Sequence, residues 1–456
     1  MSDIEIKASL PSTKAEISSP KPIFLAPGSR LNLEGAWYAL TILCIVTLIA
    51  QIDRNITPLI VTPLKKEFVI SDTQFALLHG YGFAFTYAMF GLPFGSLVDR
   101  HNRRNIILIG LASWSLLTAL SGFAGSYIQL LLLRTGVGIG EAVLAPAAYS
   151  LLMDFFEPGK RGRAVGIYYM AMAVGGGASM FAGALLLGML PAAGLNFGAI
   201  VSLEPWRLLF LCAGMPGIFA CLLIWTIKEP KRRGGVEGTS ASIRNFLSYI
   251  WNHKALLARI SIASTLMATA GSALLGWMPT LLERKFQIVP ASGGIAIGVA
   301  LIVGSVAGTL LSGTLSDRLH KGCVPDSRTR PMLLAYFILL PTALVGLVHQ
   351  PWLSILLFCA CMFSVAVVQS AMPLALQEAV PADMRGKVIA LQYIILGLCS
   401  FGLGPLLVGA VNESISRSGE MLGYSLFVVM FPVALLGIAL CYFGLNSRTY
   451  AQLSVG

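Results

Sequence analysis

The first long apolar block of this chain, from about Trp37 to Thr62, carries two charges in its middle, Asp53 and Arg54 in QIDRNI. Leu40 to Ala50 is almost wholly apolar, and Ile56 to Leu64 is interrupted only by Thr and Pro. At about 1.5 Å of rise per residue the segment is long enough to cross a bilayer as a helix, with Asp53 well inside it. A charge at such a depth costs at least about 2.5 kcal/mol on insertion scales. It must therefore face a protein interior or a watery cavity and have a partner, and the rest of the chain has to supply that partner.

The apolar blocks recur along the chain, and the composition agrees with them. Of 456 residues, 56% are hydrophobic and 12% charged, with a mean hydropathy of +0.77. A soluble protein of this size carries about twice that charged fraction. Long apolar blocks, rather than short alternations, imply an all-α polytopic membrane protein. The net charge of +11 does not point to nucleic acid, because the basic residues sit in short loops between apolar blocks. The eight Cys lack metal-ligand spacing, and Cys359 and Cys361 lie two apart in one apolar segment, as small membrane hydrophobes do. No cleavable signal peptide is visible, and residues 1–30 have the polar, Ser- and Pro-containing composition of a disordered tail.

Twelve spans are expected, near 37–62, 74–97, 105–125, 128–153, 163–190, 206–228, 256–282, 291–316, 331–348, 352–377, 385–411 and 422–445. Of the 32 Lys and Arg, 24 lie in or beside the N-terminal tail, the even-numbered loops and the C-terminus, and six in or beside the odd-numbered loops. That asymmetry puts both termini on the cytoplasmic side. The charged stretch KEPKRRGGVEG (228–238), followed by a candidate surface helix through Lys254, divides the spans six and six. The expected organisation is a cytoplasmic tail (1–35), a first bundle (36–228), a linker (229–255), a second bundle (256–447) and a C-terminal tail (448–456). The halves also repeat. GSLVDRHNRR (95–104) follows span two and GTLSDRLHKG (313–322) follows span eight. EPGKRGRAVG (157–166) and VPADMRGKVI (380–389) follow spans four and ten. Asp99 and Asp317 are 218 apart, and Arg161 and Arg385 are 224 apart, as a duplication would leave them.

Span four holds a second pair of charges, Arg134 and Glu141, seven apart and so on nearly one helix face. Counted from the outer side they lie about 10 and 20 Å deep, and Asp53, on the antiparallel span one, about 14 Å deep. Two acids and two bases at overlapping depths can form a neutral buried network. Two readings of it stay open. One is a permanent glue between spans one and four. The other is a site at which an acid gains and loses a proton as a cavity opens to water. The glycines of Gly136, Gly138 and Gly140 resemble a dinucleotide loop only superficially, because no strand precedes them. Close helix packing explains them, as it does Gly175–Gly177 and the Gly402–Pro405 stretch. His79 is a candidate for the proton route or an interfacial hydrogen-bonding group. Trp277, Gln369, Gln392 and Tyr393 are candidates for lining a cavity or for packing. Of two sequons, Asn55 lies within a span and Asn412 is expected in an outer loop.

The loop Gly95–Arg104, with Gly95, Asp99, Arg100, Arg103 and Arg104, resembles the signature loop of the major facilitator superfamily. Gly95 there would allow close helix approach, and Asp99 would pair across the bundles as a cytoplasmic gate. Its copy keeps Asp317 and Arg318 but has no Arg-Arg pair. With IDRN in span one, GVGIGEA and Pro146 in span four, EPWRLLF entering span six, WMPTLLERKF after span seven and MRGKVIALQ entering span eleven, residues 36–445 resemble the spinster-like branch of that superfamily. In the related organic anion–cation symporters an aromatic–Gly pair usually follows the Asp-Arg, where this chain has His101-Asn102. The spinster-like resemblance implies two pseudo-symmetric six-helix bundles and a proton-linked carrier of amphipathic lipids, such as lysophospholipids or sphingoid phosphates. Asp53 and Glu141 would be its proton-coupling acids, with Arg54 and Arg134 beside them as charge partners or head-group ligands. No cofactor beyond the coupling proton is expected, and the expected partners are membrane lipids and a small amphipathic or anionic substrate. A monomer in a bacterial inner membrane is expected. Small organic anions are the alternative cargo, and a non-transporting receptor or scaffold is a remote one. No nucleophile–base pair or metal cluster suggests an enzyme.

Overall fold

The computed structural model describes residues 33–191, 194–196, 202–230, 232, 243–321, 329–381, 384–415 and 421–445. Residues 1–32 of the expected N-terminal tail, the expected C-terminal tail, residues 231 and 233–242 of the linker, and the side chains of Asp99 and Asp317 lie outside the described residues. Helix dominates, and a two-residue antiparallel ladder pairs Leu195–Asn196 with Ser202–Leu203 between spans five and six. Ten helices among the described residues are long and apolar enough to cross a membrane, with Arg330–Gly346 a shorter apolar helix in the ninth position. Their outward faces are apolar, as on span six, where Phe219, Leu222 and Trp225 are exposed.

Each expected span falls on a helix, but several ends move. Span two starts at Asp72, span seven runs to Phe286 and span eleven to Ile415. Asn412, expected in an outer loop, is therefore a buried residue inside a helix, and its sequon is closed to modification. Polar final turns account for these shifts, because hydropathy stops where a helix leaves the lipid and the backbone need not. Spans one and seven end the same way, on a non-glycine residue in the left-handed region: Val69 at φ 51° and Gln287 at φ 56°. The two are 218 residues apart, the offset of Asp99 and Asp317, so the repeat reaches the backbone conformation. Arg161 and Arg385 agree with it. The Nε of each donates over 3.0 Å to a carbonyl at the end of the preceding span, Phe156 and Gln377.

Two helices break beside their charges. Span one passes from Leu33–Ile56 through a 3-10 turn at Thr57–Ile60 into Val61–Phe68. Span four stops at Glu141 and resumes at Leu144. Pro58 and Pro146 lack the N–H that would bond four residues back, to Arg54 and Ala142, which interrupts the regular helical ladder.

The two halves meet along two seams rich in glycine. A Cβ on Gly298 of span eight would lie 2.7 Å from the Gly177 carbonyl oxygen of span five, and one on Gly80 of span two 2.5 Å from the Phe401 carbonyl oxygen of span eleven. Only glycine permits backbones that close. Toward the basic loops the same four helices behave differently: at Gly91, Gly95, Gly166 and Gly313 a Cβ would meet nothing within 4 Å, and at Gly397 only Ala88, at 3.9 Å. The close approach anticipated at Gly95 is absent in this conformation, because the helices that touch near mid-membrane part toward the basic side. Gly298→Ala is expected to lower the melting midpoint of the purified protein, as overpacking costs typically about 1–3 kcal/mol. Gly95→Ala should leave it unchanged or raise it, since helical Gly is about 0.5–1 kcal/mol worse than Ala; equal losses in both would contradict the parted geometry.

Candidate functional site

The four intramembrane charges pair crosswise between spans one and four. Arg54 Nε donates to Glu141 Oε2 over 2.6 Å, and Arg134 Nη1 donates to Asp53 Oδ1 over 2.5 Å. Asp53 and Arg54 are adjacent and point about 100° apart around span one, while Arg134 and Glu141 sit two turns apart on span four. One helix thus presents its charges side by side and the other presents them along its length, which gives two separate pairs.

The pairs differ in completeness. Both Asp53 oxygens are engaged: Thr118 Oγ1 donates to Oδ2 over 2.6 Å, and Arg134 Nη2 also reaches the Asp53 carbonyl at 3.1 Å. Both side chains are buried, with the guanidinium over the Phe210 ring. Glu141 is wholly buried too, yet its Oε1 has no hydrogen-bond partner, and its Arg54 side chain is 27% exposed. Arg54 Cζ stands 4.9 Å from the centroid of the Tyr87 ring. Near it tyrosines gather: Tyr149 packs on Tyr168 and Tyr169, with ring centroids 5.4 and 5.8 Å away, and the Tyr169 and Tyr393 hydroxyls meet across the bundles at 2.9 Å.

The second bundle carries neutral groups instead. Gln392 Nε2 donates to Ser264 Oγ over 2.9 Å and Gln369 Nε2 to the Ser264 carbonyl over 3.1 Å. Gln392 is buried and Gln369 half-buried. Trp277, named as a cavity candidate, is fully buried in packing, its indole N–H donating to the Pro405 carbonyl over 2.9 Å. Of the cavity candidates, Tyr393 is the exposed one. His79 stacks on Phe75 beside span seven, with Nδ1 buried and unbonded.

The signature loop holds together its own bundle. Arg103 is buried and bonds Asp154, Glu229 Oε1 at 2.7 Å, the Ser150 carbonyl and hydroxyl at 3.1 Å each, and the Pro230 carbonyl at 3.2 Å. Arg104 adds a backbone N–H to Glu229 Oε2 at 3.0 Å. These bonds tie the basic ends of spans three, four and six. Arg100 and Arg318 are exposed.

A cluster the sequence reading did not identify closes the opposite side. Asp72, in the first turn of span two, is buried and accepts from Lys65 of span one, from Arg284 of span seven at 2.9 and 3.1 Å, and from Asn412 of span eleven at 2.6 Å. Next to it the Thr73 N–H and hydroxyl donate to Glu413 over 3.2 and 2.6 Å, and Thr62 donates to Glu283 over 2.6 Å. The sequence signal was the capping box Ser71…Gln74, which starts a helix at Asp72 and places a carboxylate at its positive end.

The comparisons with known proteins fit this geometry. The Major Facilitator Superfamily model matches residues 43–402. An MFS-type efflux pump of Mycolicibacterium smegmatis is 25% identical over 420 residues, 91% of this chain and 93% of that protein. Protein spinster homolog 1 of Xenopus tropicalis is 29% identical over 409 residues, 82% and 73% of the two chains. A crystal structure of a bacterial homolog to human lysosomal transporter Spinster, inward-facing and unoccupied, matches 93% of this chain and 99% of its own with a TM-score of 0.75 and 24% identity. That likeness gives the fold, two six-helix bundles, and the family match makes the chain a multi-pass membrane transporter rather than an enzyme. The chain belongs to the Major Facilitator Superfamily, and within it is spinster-like.

Arg103→Ala should remove the guanidinium that Asp154 and Glu229 share and destabilise the first bundle by about 3–5 kcal/mol, as removing one partner of a buried pair does. A melting midpoint within a degree or so of wild type would show that these bonds do not hold the loop. Asp72→Asn should loosen the closed side. In a Cys-free background, a Cys placed at buried Ala76 should react faster with a membrane-impermeant maleimide in that variant than in its parent.

Proposed function

We propose that this protein is a proton-coupled secondary transporter that carries an amphipathic, lipid-like anion by alternating access between its two bundles. The observation that carries the coupling is the unequal state of the two acids. Asp53 has both carboxylate oxygens hydrogen-bonded, whereas Glu141 keeps one oxygen unpartnered and shares a guanidinium that is itself part-exposed. A proton on Glu141 would release Arg54 for an anionic head group; an ionised Glu141 would compete for it. Proton and substrate then bind with positive linkage, and by reciprocity each favours the other. Asp53–Arg134 is the fixed pair that holds spans one and four in register while this exchange takes place.

The substrate class follows the spinster-like resemblance, and the tyrosines near Arg54 support it: ring faces suit an apolar tail, and hydroxyls with one guanidinium suit a charged head. The closed Asp72 side and the parted basic side describe a state open toward the basic loops, which the positive-inside rule places in the cytoplasm. Tyr169 and Tyr393 meet at the inner end of that opening, where substrate would pass.

The test is the melting midpoint of purified protein with lysophospholipids, sphingoid phosphates and small carboxylates at pH 5.5 and 7.5. A bound ligand raises the midpoint by mass action. The lysolipid-type shift should be larger at pH 5.5, should lose its pH dependence in Glu141→Gln and should disappear in Arg54→Ala. A shift with small carboxylates alone would assign the site to small organic anions. In proteoliposomes, Glu141→Gln should transport with a flat pH profile; a wild-type profile would remove Glu141 from the coupling.

A further inference from the structure

The segment between the bundles ends in a ten-residue helix, Ile243–Asn252, that passes through His253 into span seven. At 3.6 residues per turn its side chains fall into three rows. The first is docked on the second bundle. Phe246 is buried in a cluster with Leu256, Met372 and Val388, the Tyr249 hydroxyl donates to the Ala379 carbonyl over 2.9 Å, and the Tyr249 ring stacks 4.0 Å from His253. The second row, Asn245, Ser248 and Asn252, is polar and uncharged. The third reads Arg244, Leu247, Trp251 and continues at Lys254, with spacings of three, four and three. Leu247 is 59% and Trp251 70% exposed, and Lys254 Nζ stands 4.3 Å from the Trp251 ring centroid.

The docked row rests on residues at the basic ends of spans seven, ten and eleven, the level at which these helices leave the lipid. An exposed Leu and Trp on a row of their own, with a cation at each end, are out of place in water. They match the head-group layer, which takes an indole at its boundary and cations beside its phosphates. We propose that the row Arg244–Leu247–Trp251–Lys254 seats this helix in the head-group layer, and that its two cations bind anionic phospholipid. Charge complementarity selects anionic over zwitterionic lipid, and the uncharged polar row is left for the aqueous side. Because Tyr249 and Phe246 fix the helix to the second bundle, bound lipid would hold that bundle to the membrane surface. The first bundle would remain free to move against it. This site stands apart from the transport reading and does not depend on it.

The test uses the full chain in nanodiscs of phosphatidylcholine, with or without phosphatidylglycerol. Phosphatidylglycerol should raise the wild-type melting midpoint. The double variant Arg244→Gln, Lys254→Gln should keep the midpoint seen in phosphatidylcholine alone and lose most of that rise; an undiminished rise overturns the proposal. Brominated phosphatidylglycerol should quench wild-type tryptophan fluorescence more than that of Trp251→Phe, and equal quenching overturns the seating. In detergent, inorganic phosphate matching the effect of phosphatidylglycerol would make this a free-anion site. Disulfide cross-linking of Leu247→Cys between two copies would make it a protein interface. Either result overturns the lipid assignment.

Discussion

The structure depends on one constraint: an ion in the membrane interior must be paired. Spans one and four each carry an acid and a base, and their antiparallel run brings Arg54 to Glu141 and Arg134 to Asp53. Replacing a membrane-buried charge with nothing opposite it would leave a penalty of several kcal/mol, so these helices are pinned to each other in register. Pro58 and Pro146 break the two helices within a turn or two of the charges.

Around that fixed core the two bundles are joined by weaker and more divisible contacts. The glycine seams let backbones touch near mid-membrane, while Asp72 and its partners close one side through hydrogen bonds and ion pairs that can be remade one at a time. Arg103, by contrast, is bound entirely within its own bundle. These bonds hold the basic end of the first bundle together as a unit, distinct from the contacts that join it to the second. The second bundle has amides and hydroxyls where the first has charges, so the pseudo-symmetry of the fold does not extend to its chemistry.

How legible the fold was in sequence differs by feature. Twelve spans, the six-and-six division and the repeat came from apolar length and from motif offsets, and the left-handed ends at Val69 and Gln287 carry the same 218-residue offset. Asp53, Arg54, Arg134 and Glu141 stood out because a charge in an apolar block is expensive. The Asp72 cluster was missed for the converse reason. Asp72, Arg284, Asn412 and Glu413 sit in polar end turns that hydropathy trims off, and nothing local ties four residues so far apart in the chain. For Trp277 residue type left cavity lining and packing both open, and packing against span eleven buries it.

The sequence by itself determined that the chain crosses a membrane repeatedly, that its basic residues gather in alternate loops, and that four interior charges sum to zero. These follow from local terms: the cost of exposing backbone or charge to lipid is set by the residue and its depth, and both can be counted along the chain. Only the tertiary structure decided which acid pairs with which base, that Glu141 and not Asp53 keeps an oxygen free, and which side of the bundle interface is closed. Those outcomes turn on distances of a few ångströms between helices remote in sequence, which residue spacing along any single helix does not fix.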